Sequence, residues 1–202
     1  MNDWLDNVVD KNILQDTLTF TSIFIAVYEH MTDYVESNVE GFLNEIAVED
    51  GKYISKKSKE YKSEIENKIV DEKGNKDKIK ASFQWLVSHG AITSEEYERF
   101  LVLKAIRNKY AHELTDIIYA GVDKEKILLL FEMHSLYSKI TRWFFIQIEA
   151  PLMGDEIPED ADMDKITNVA NFLFNIILDV LYKGKSEEYK AMLTSIRDEI
   201  NK

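Results

Sequence analysis

The chain contains no cysteine among its 202 residues, which excludes disulfides, thiolate nucleophiles and cysteine-ligated zinc. Proline and glycine are nearly as scarce, at two and seven. Few backbone breakers beside plentiful Leu, Ile, Glu and Lys favour long helices, so an all-α fold is expected. Long apolar runs are missing too. The stretches at 20–28 and 172–182 are short or interrupted by Asn175 and Asp179, below the ~18 residues that a membrane helix needs. The acidic start Met-Asn-Asp-Trp-Leu-Asp has no apolar stretch of signal-peptide type. A cytoplasmic protein with no membrane partner is expected.

Positive charge is also in deficit: 25 basic against 37 acidic residues give a net charge of -12. That argues against a bulk nucleic-acid binder, whose affinity comes from neutralising phosphates. The deficit is uneven. Residues 52–80 hold ten Lys and six acids, net +4, which leaves -16 for the rest. Such a run serves either as a local basic path to a cleft or as a solvated helix or linker.

What is present is concentrated in Leu101 to Leu114, reading LVLKAIRNKYAHEL. Phe100, Leu101, Leu103, Ile106, Tyr110 and Ala111 recur at roughly the three-and-four spacing of a core-facing helical stripe. The same segment carries Arg107, Asn108 and His112. Asn108 and His112, at i and i+4, share a face, whereas Arg107 and His112 stand ~140° apart around the axis. The guanidinium must swing round the helix to meet the imidazole at one phosphate. Alternatively, a second copy across a two-fold axis supplies the missing group.

These residue types suit RNA cleavage without a metal or other cofactor. An imidazole, with an ordinary pKa of ~6.5, can take the proton of a ribose 2'-hydroxyl, which then attacks its own phosphate. A guanidinium clamps the charged phosphorane by paired hydrogen bonds. Asn108 would fix the ring tautomer, while Lys109 and Tyr110 would contact backbone and base. A structural role uses the same residues differently. Arg107 then pairs with Glu96, Glu98 or Glu113, His112 meets the last helix carbonyls, and Asn108 fixes packing register.

Arg107-Asn108-Lys109-Tyr110-Ala111-His112 resembles the Arg-x(4–6)-His motif of the HEPN superfamily (higher eukaryotes and prokaryotes nucleotide-binding). The longer run from Lys78 through SFQWLVSHGAITSEEYERFLVLKAIRNKYAHEL looks most like the mannitol operon repressor family. The superfamily resemblance implies an up-and-down helical bundle, a homodimer, and a metal-independent endoribonuclease or RNA-binding effector. Toxin–antitoxin and phage-defence systems are the implied setting, with an antitoxin or regulatory protein as partner. Likeness to the mannitol repressor implies instead a catalytically inactive transcriptional regulator. HEPN bundles often place a polar residue on an earlier helix facing the motif, and Glu29 is the candidate here to support His112. The tyrosine that toxins paired with a nucleotidyltransferase usually carry two residues past the His is Leu114 in this chain.

Around this segment the pattern predicts a long helix from Asn12 or Asp16 to about Val48, ended by Asp50-Gly51. The Lys-rich stretch at about 50–77 reads as a peripheral insertion with few apolar anchors. A helix from Lys78 closes at His89-Gly90, and Thr93 with Glu96 forms a capping box for the motif helix. Asp123 opens a further helix rich in aromatics. Residues 1–150 thus form the bundle. Residues 151–202 supply an acidic linker and a C-terminal helical hairpin, Ile166 to Tyr182 and Ser186 to Ile200, packing on the bundle or on a partner subunit. The linker acids, among them Asp155, Glu156, Glu159 and Asp160, match no calcium loop and read as a solvated turn.

Overall fold

A computed structural model describes residues 4–70, 72–154, 157–158, 161–163 and 166–200. The linker acids Asp155, Glu156, Glu159 and Asp160 lie outside them. The chain is all-α with one small hairpin, and it divides into two compact units, Met1–Ala161 and Asp162–Lys202.

The first unit is built on α2 (Lys11–Leu43), a helix about 50 Å long at 1.5 Å per residue. It starts at Asp10, whose carboxylate accepts the amides of Asn12 and Ile13 at 2.8 and 3.2 Å, satisfying donors that a helix start leaves open. One face of α2 buries Phe20, Phe24, Val27, Tyr28, Met31, Val35 and Val39. Against it pack α4 (Lys78–Ser88), α5 (Ser94–His112) and α7 (Lys124–Phe144), with α1 (Trp4–Val9) and α6 (Leu114–Ala120) near its start. In the core, Phe100 lies flat on Phe83, centroids 3.6 Å apart, and parallel to Tyr28 at 6.1 Å. Past α7, a π turn (Phe145–Glu149) leads into the short α8 (Ala150–Met153).

Two expectations for the middle of the chain need correcting. The long helix does not reach Val48: it stops at Leu43, and β1 (Glu45–Glu49) pairs antiparallel with β2 (Lys52–Lys56). Asp50 and Gly51 do not cap a helix but form the hairpin turn, with φ of 50° and 75°. Positive φ at both central residues is what a type I′ turn requires, and Asp-Gly supplies it cheaply. The Lys-rich stretch is also better anchored than its composition suggests. After β2, α3 (Lys59–Tyr61) and a π turn (Lys62–Glu66) bury Tyr61 and Ile65 completely, and the Tyr61 hydroxyl donates to Glu40 at 3.0 Å. Its lysines largely answer local acids: Lys57 and Lys76 face Glu66, and Lys68 faces Glu64.

The second unit is a helical hairpin of α9 (Val169–Lys183) and α10 (Ser186–Ile200). Its turn is organised by Asp179, a buried carboxylate that accepts from Lys183, Lys185 and the Tyr189 hydroxyl at 2.6, 3.3 and 3.0 Å. Burial pushes this carboxyl upward, but the two ammonium groups and the hydroxyl outweigh it and hold it below the ordinary carboxylate range.

Candidate functional site

The motif helix is fixed at its start by the expected capping box. Thr93 accepts the Glu96 amide at 3.2 Å, and Glu96 accepts the Thr93 amide at 2.7 Å. Helix α4 ends just before it at His89, whose Nδ1 lies 2.8 Å from the Trp85 carbonyl. Because a carbonyl only accepts, the proton sits on that nitrogen. From Thr93 onward the helix runs without a break to His112, burying Phe100, Leu103 and Tyr110. Leu101 and Ile106 are half-buried and Ala111 is exposed, so the apolar stripe is narrower than its spacing predicts.

Arg107 lies where this helix meets α2. Its guanidinium carbon stands 5.7 Å from the centre of the Tyr28 ring, a distance at which a cation is held by the ring face. One terminal nitrogen donates to Glu29 and the other to Asn108 Oδ1 at 3.0 Å. The side chains of Arg107 and Glu29 remain 27% and 42% exposed, so the pair sits at the rim of the core, in reach of solvent. Two polar atoms beneath it are buried without a hydrogen-bond partner: Arg107 Nε and the Tyr28 hydroxyl. Burial raises the Tyr28 pKa above the ordinary phenol range, although the neighbouring Arg107 acts in the opposite sense.

Glu29 thus meets the motif, but through Arg107. Asn108 likewise turns its oxygen to Arg107, and no hydrogen bond joins it to His112 among the described residues. The pairing of Arg107 with Glu96, Glu98 or Glu113 is not found either; Glu96 binds Lys139 at 2.7 Å instead. His112 closes the helix as an exposed residue in its last turn. Lys109 is exposed beside it.

Tyr110 cannot contact a base. It is 5% exposed, its ring meeting Phe24 and Phe20 edge-on at 4.9 and 5.8 Å, and burial pushes its pKa up to about 12. The reason is register: Tyr110 follows Phe100 and Leu103 on the same buried face.

The structure adds two groups that the sequence reading did not single out. Tyr28 forms the floor under the guanidinium; its only signal was adjacency to Glu29. Lys104, one turn before Arg107, donates to Asp77 at 2.7 Å, and Asp77 also caps α4 by accepting the Lys80 amide at 3.0 Å. Burial acts to raise the Asp77 pKa, but the Lys104 and Lys80 hydrogen bonds prevail and lower it. Lys104 and Arg107 therefore stand one turn apart on α5, each met by a carboxylate from another element. Among the described residues no helix is long and apolar enough to cross a membrane. Comparison with protein-family models, curated proteins and solved structures returns no match.

Proposed function

We propose that this chain is a HEPN-like, cytoplasmic protein that binds RNA at the Arg107 seam and cleaves it without a metal, as a toxin or defence effector. The observation that carries this reading is the setting of Arg107: its face rests on Tyr28, its edge is held by Glu29 and Asn108, and Nε has no partner. An incoming phosphodiester takes the place of Glu29 and offers Nε the acceptor it lacks, as paired guanidinium–phosphate bonding requires. His112, exposed five residues on, serves as base or acid for the 2'-hydroxyl or the leaving oxygen. Asn108 orients the guanidinium. The angular offset between Arg107 and His112 is met by a homodimer that brings each arginine to the partner's imidazole.

A second reading, a non-catalytic regulator of mannitol operon repressor type, is favoured by one observation. Glu29 already answers the charge of Arg107, which a purely structural pair would also do. One assay separates the two. Purified protein is incubated with total RNA in EDTA beside Arg107→Ala and His112→Ala variants. The ribonuclease reading expects cleavage by the parent chain and a loss of about 10²–10⁴-fold on removing the imidazole, the usual worth of a positioned proton-transfer group. No cleavage by the parent, or cleavage by both variants unchanged from the parent, leaves the regulatory reading in place. Sedimentation velocity on the same sample tests the dimer.

A further inference from the structure

The hairpin sorts its residues by face. Glu45, Ala47, Glu49, Lys52, Ile54 and Lys56 fall on one side by the strand register, where Lys56 pairs with Glu49 and Ala47 and Ile54 are half-buried. The opposite side holds Ile46, Val48, Tyr53 and Ser55, and bears no charge. Ile46, Val48 and Tyr53 are 78%, 63% and 83% exposed. The sheet has only two strands, so each keeps one unpaired edge, and a lone two-stranded ribbon is marginal in water.

Ser55 joins this bare face to a groove. Its hydroxyl accepts from Asn44 Nδ2 at 3.0 Å, and both residues line a cavity of about 590 Å³ with Asp33, Glu36 and Glu40 of α2. Three acceptors there are unfilled. Asp33 and Glu36 form no ion pair among the described residues, and Asn44 Oδ1 is buried without a partner. Gly41 leaves its part of the wall open, with nothing within 4 Å of where a Cβ would stand. The neighbouring lysines do not fill the need: Lys56 and Lys57 are turned to Glu49 and Glu66.

We propose that the apolar hairpin face and the acidic groove are one docking surface for a basic, extended segment of another protein. The segment lays alternate apolar side chains on Ile46, Val48 and Tyr53 and adds its backbone to a free strand edge. Its lysine or arginine side chains enter the groove, donating to Asp33 and Glu36. A second copy of this chain fits poorly, because a two-fold interface sets the same acidic patch against itself. RNA is repelled by the same carboxylates. The groove thus suits a different ligand from the Arg107 seam, although Asp33 stands one turn from Glu29 on α2.

The test is a displayed library of random peptides of about twelve residues, enough to span a strand and the groove, panned against the full chain. Enriched peptides are expected to alternate apolar residues with Lys or Arg. A synthetic peptide of the enriched sequence should bind about five- to tenfold more weakly to the double variant D33N/E36Q, as befits two rim charges. It should weaken similarly with V48T/Y53T and as salt rises, and bind the Arg107→Ala variant unchanged. Far-UV circular dichroism checks that each variant is folded, and the charge-only and apolar-only variants are read independently. Enrichment without basic residues, no enrichment, or full affinity in both double variants overturns the proposal. So does a dimer of the parent chain that Y53T dissolves, since a second copy would then be the cover.

Discussion

The Arg107 seam and the hairpin both adjoin α2, one on its middle turns and the other just past its end, and they treat exposed chemistry in opposite ways. At the seam, cations of α5 are each answered by a carboxylate from elsewhere in the chain: Arg107 by Glu29, Lys104 by Asp77. What is left unsatisfied there is buried: the Nε edge of the Arg107 guanidinium and the neutral Tyr28 hydroxyl. At the hairpin the apolar side chains face water, and Asp33 and Glu36 of the adjoining groove form no ion pair among the described residues. The first arrangement stabilises the fold, and a ligand must compete with an internal partner. The second adds little to the fold, and a ligand meets no competitor. Stability measurements should therefore respond strongly near the seam and weakly at the hairpin, whereas partner binding should follow the reverse order.

The sharpest contrast comes from the aromatic stack beneath the seam. Phe100→Ala removes a fully buried ring lying between Phe83 and Tyr28 and should cost about 3–5 kcal/mol in a urea titration. A cost under about 1 kcal/mol would mean that the layer under Arg107 is not the packed core described above. Next is Thr93→Ala, which breaks the capping box at the start of the motif helix. It is expected to lose about 1 kcal/mol.

The ion pairs should be worth less, because they sit in reach of water. A double-mutant cycle of Arg107→Ala and Glu29→Gln should give a coupling of about 0.5–1 kcal/mol. Asp77 supplies a pH test. Its folded-state pKa lies below the ordinary carboxylate value, so its contribution is fully present above the unfolded pKa of ~3.9 and is lost as pH falls through the lower folded value. Asp77→Asn should accordingly be less stable than the parent at neutral pH, and the gap should close on acidification below pH ~4. A gap that persists unchanged to low pH would show that charge is not what Asp77 contributes. At the small end, Val48→Thr and Tyr53→Thr should each shift stability by less than about 0.5 kcal/mol. A larger loss in the isolated chain would mean that the hairpin face is already covered.

The helices were legible wherever local chemistry and periodicity agreed. Asp123, Thr93 and the His89-Gly90 pair mark ends that the structure keeps, because caps depend on neighbours within one turn. The hairpin's signal is nonetheless present in the sequence: Ile46 and Val48 alternate ahead of Asp50-Gly51, a type I′ dipeptide, and Tyr53 falls on their face beyond it. Val39, Phe42, Leu43 and Ile46 continued the spacing of α2, and helix continuation outweighed the turn. At the site, the string from Arg107 to His112 is legible in the sequence, but its partners are not. Nothing local says that Arg107 will meet Glu29, because that contact depends on how two helices dock.

By itself the sequence determined the helical class, the capped starts of α5 and α7 and the candidate residues on α5, since these follow from backbone propensity, capping and the 3.6-residue repeat. Tertiary structure alone decided which face of α5 is buried, sending Tyr110 inward and leaving His112 in water. It also decided that Glu29 and Tyr28 hold Arg107 and that a bare apolar ribbon lies beside an acidic groove. The physical reason is that charge pairing and burial depend on distances between segments remote in the chain, which only the packing of α2 against its neighbours sets.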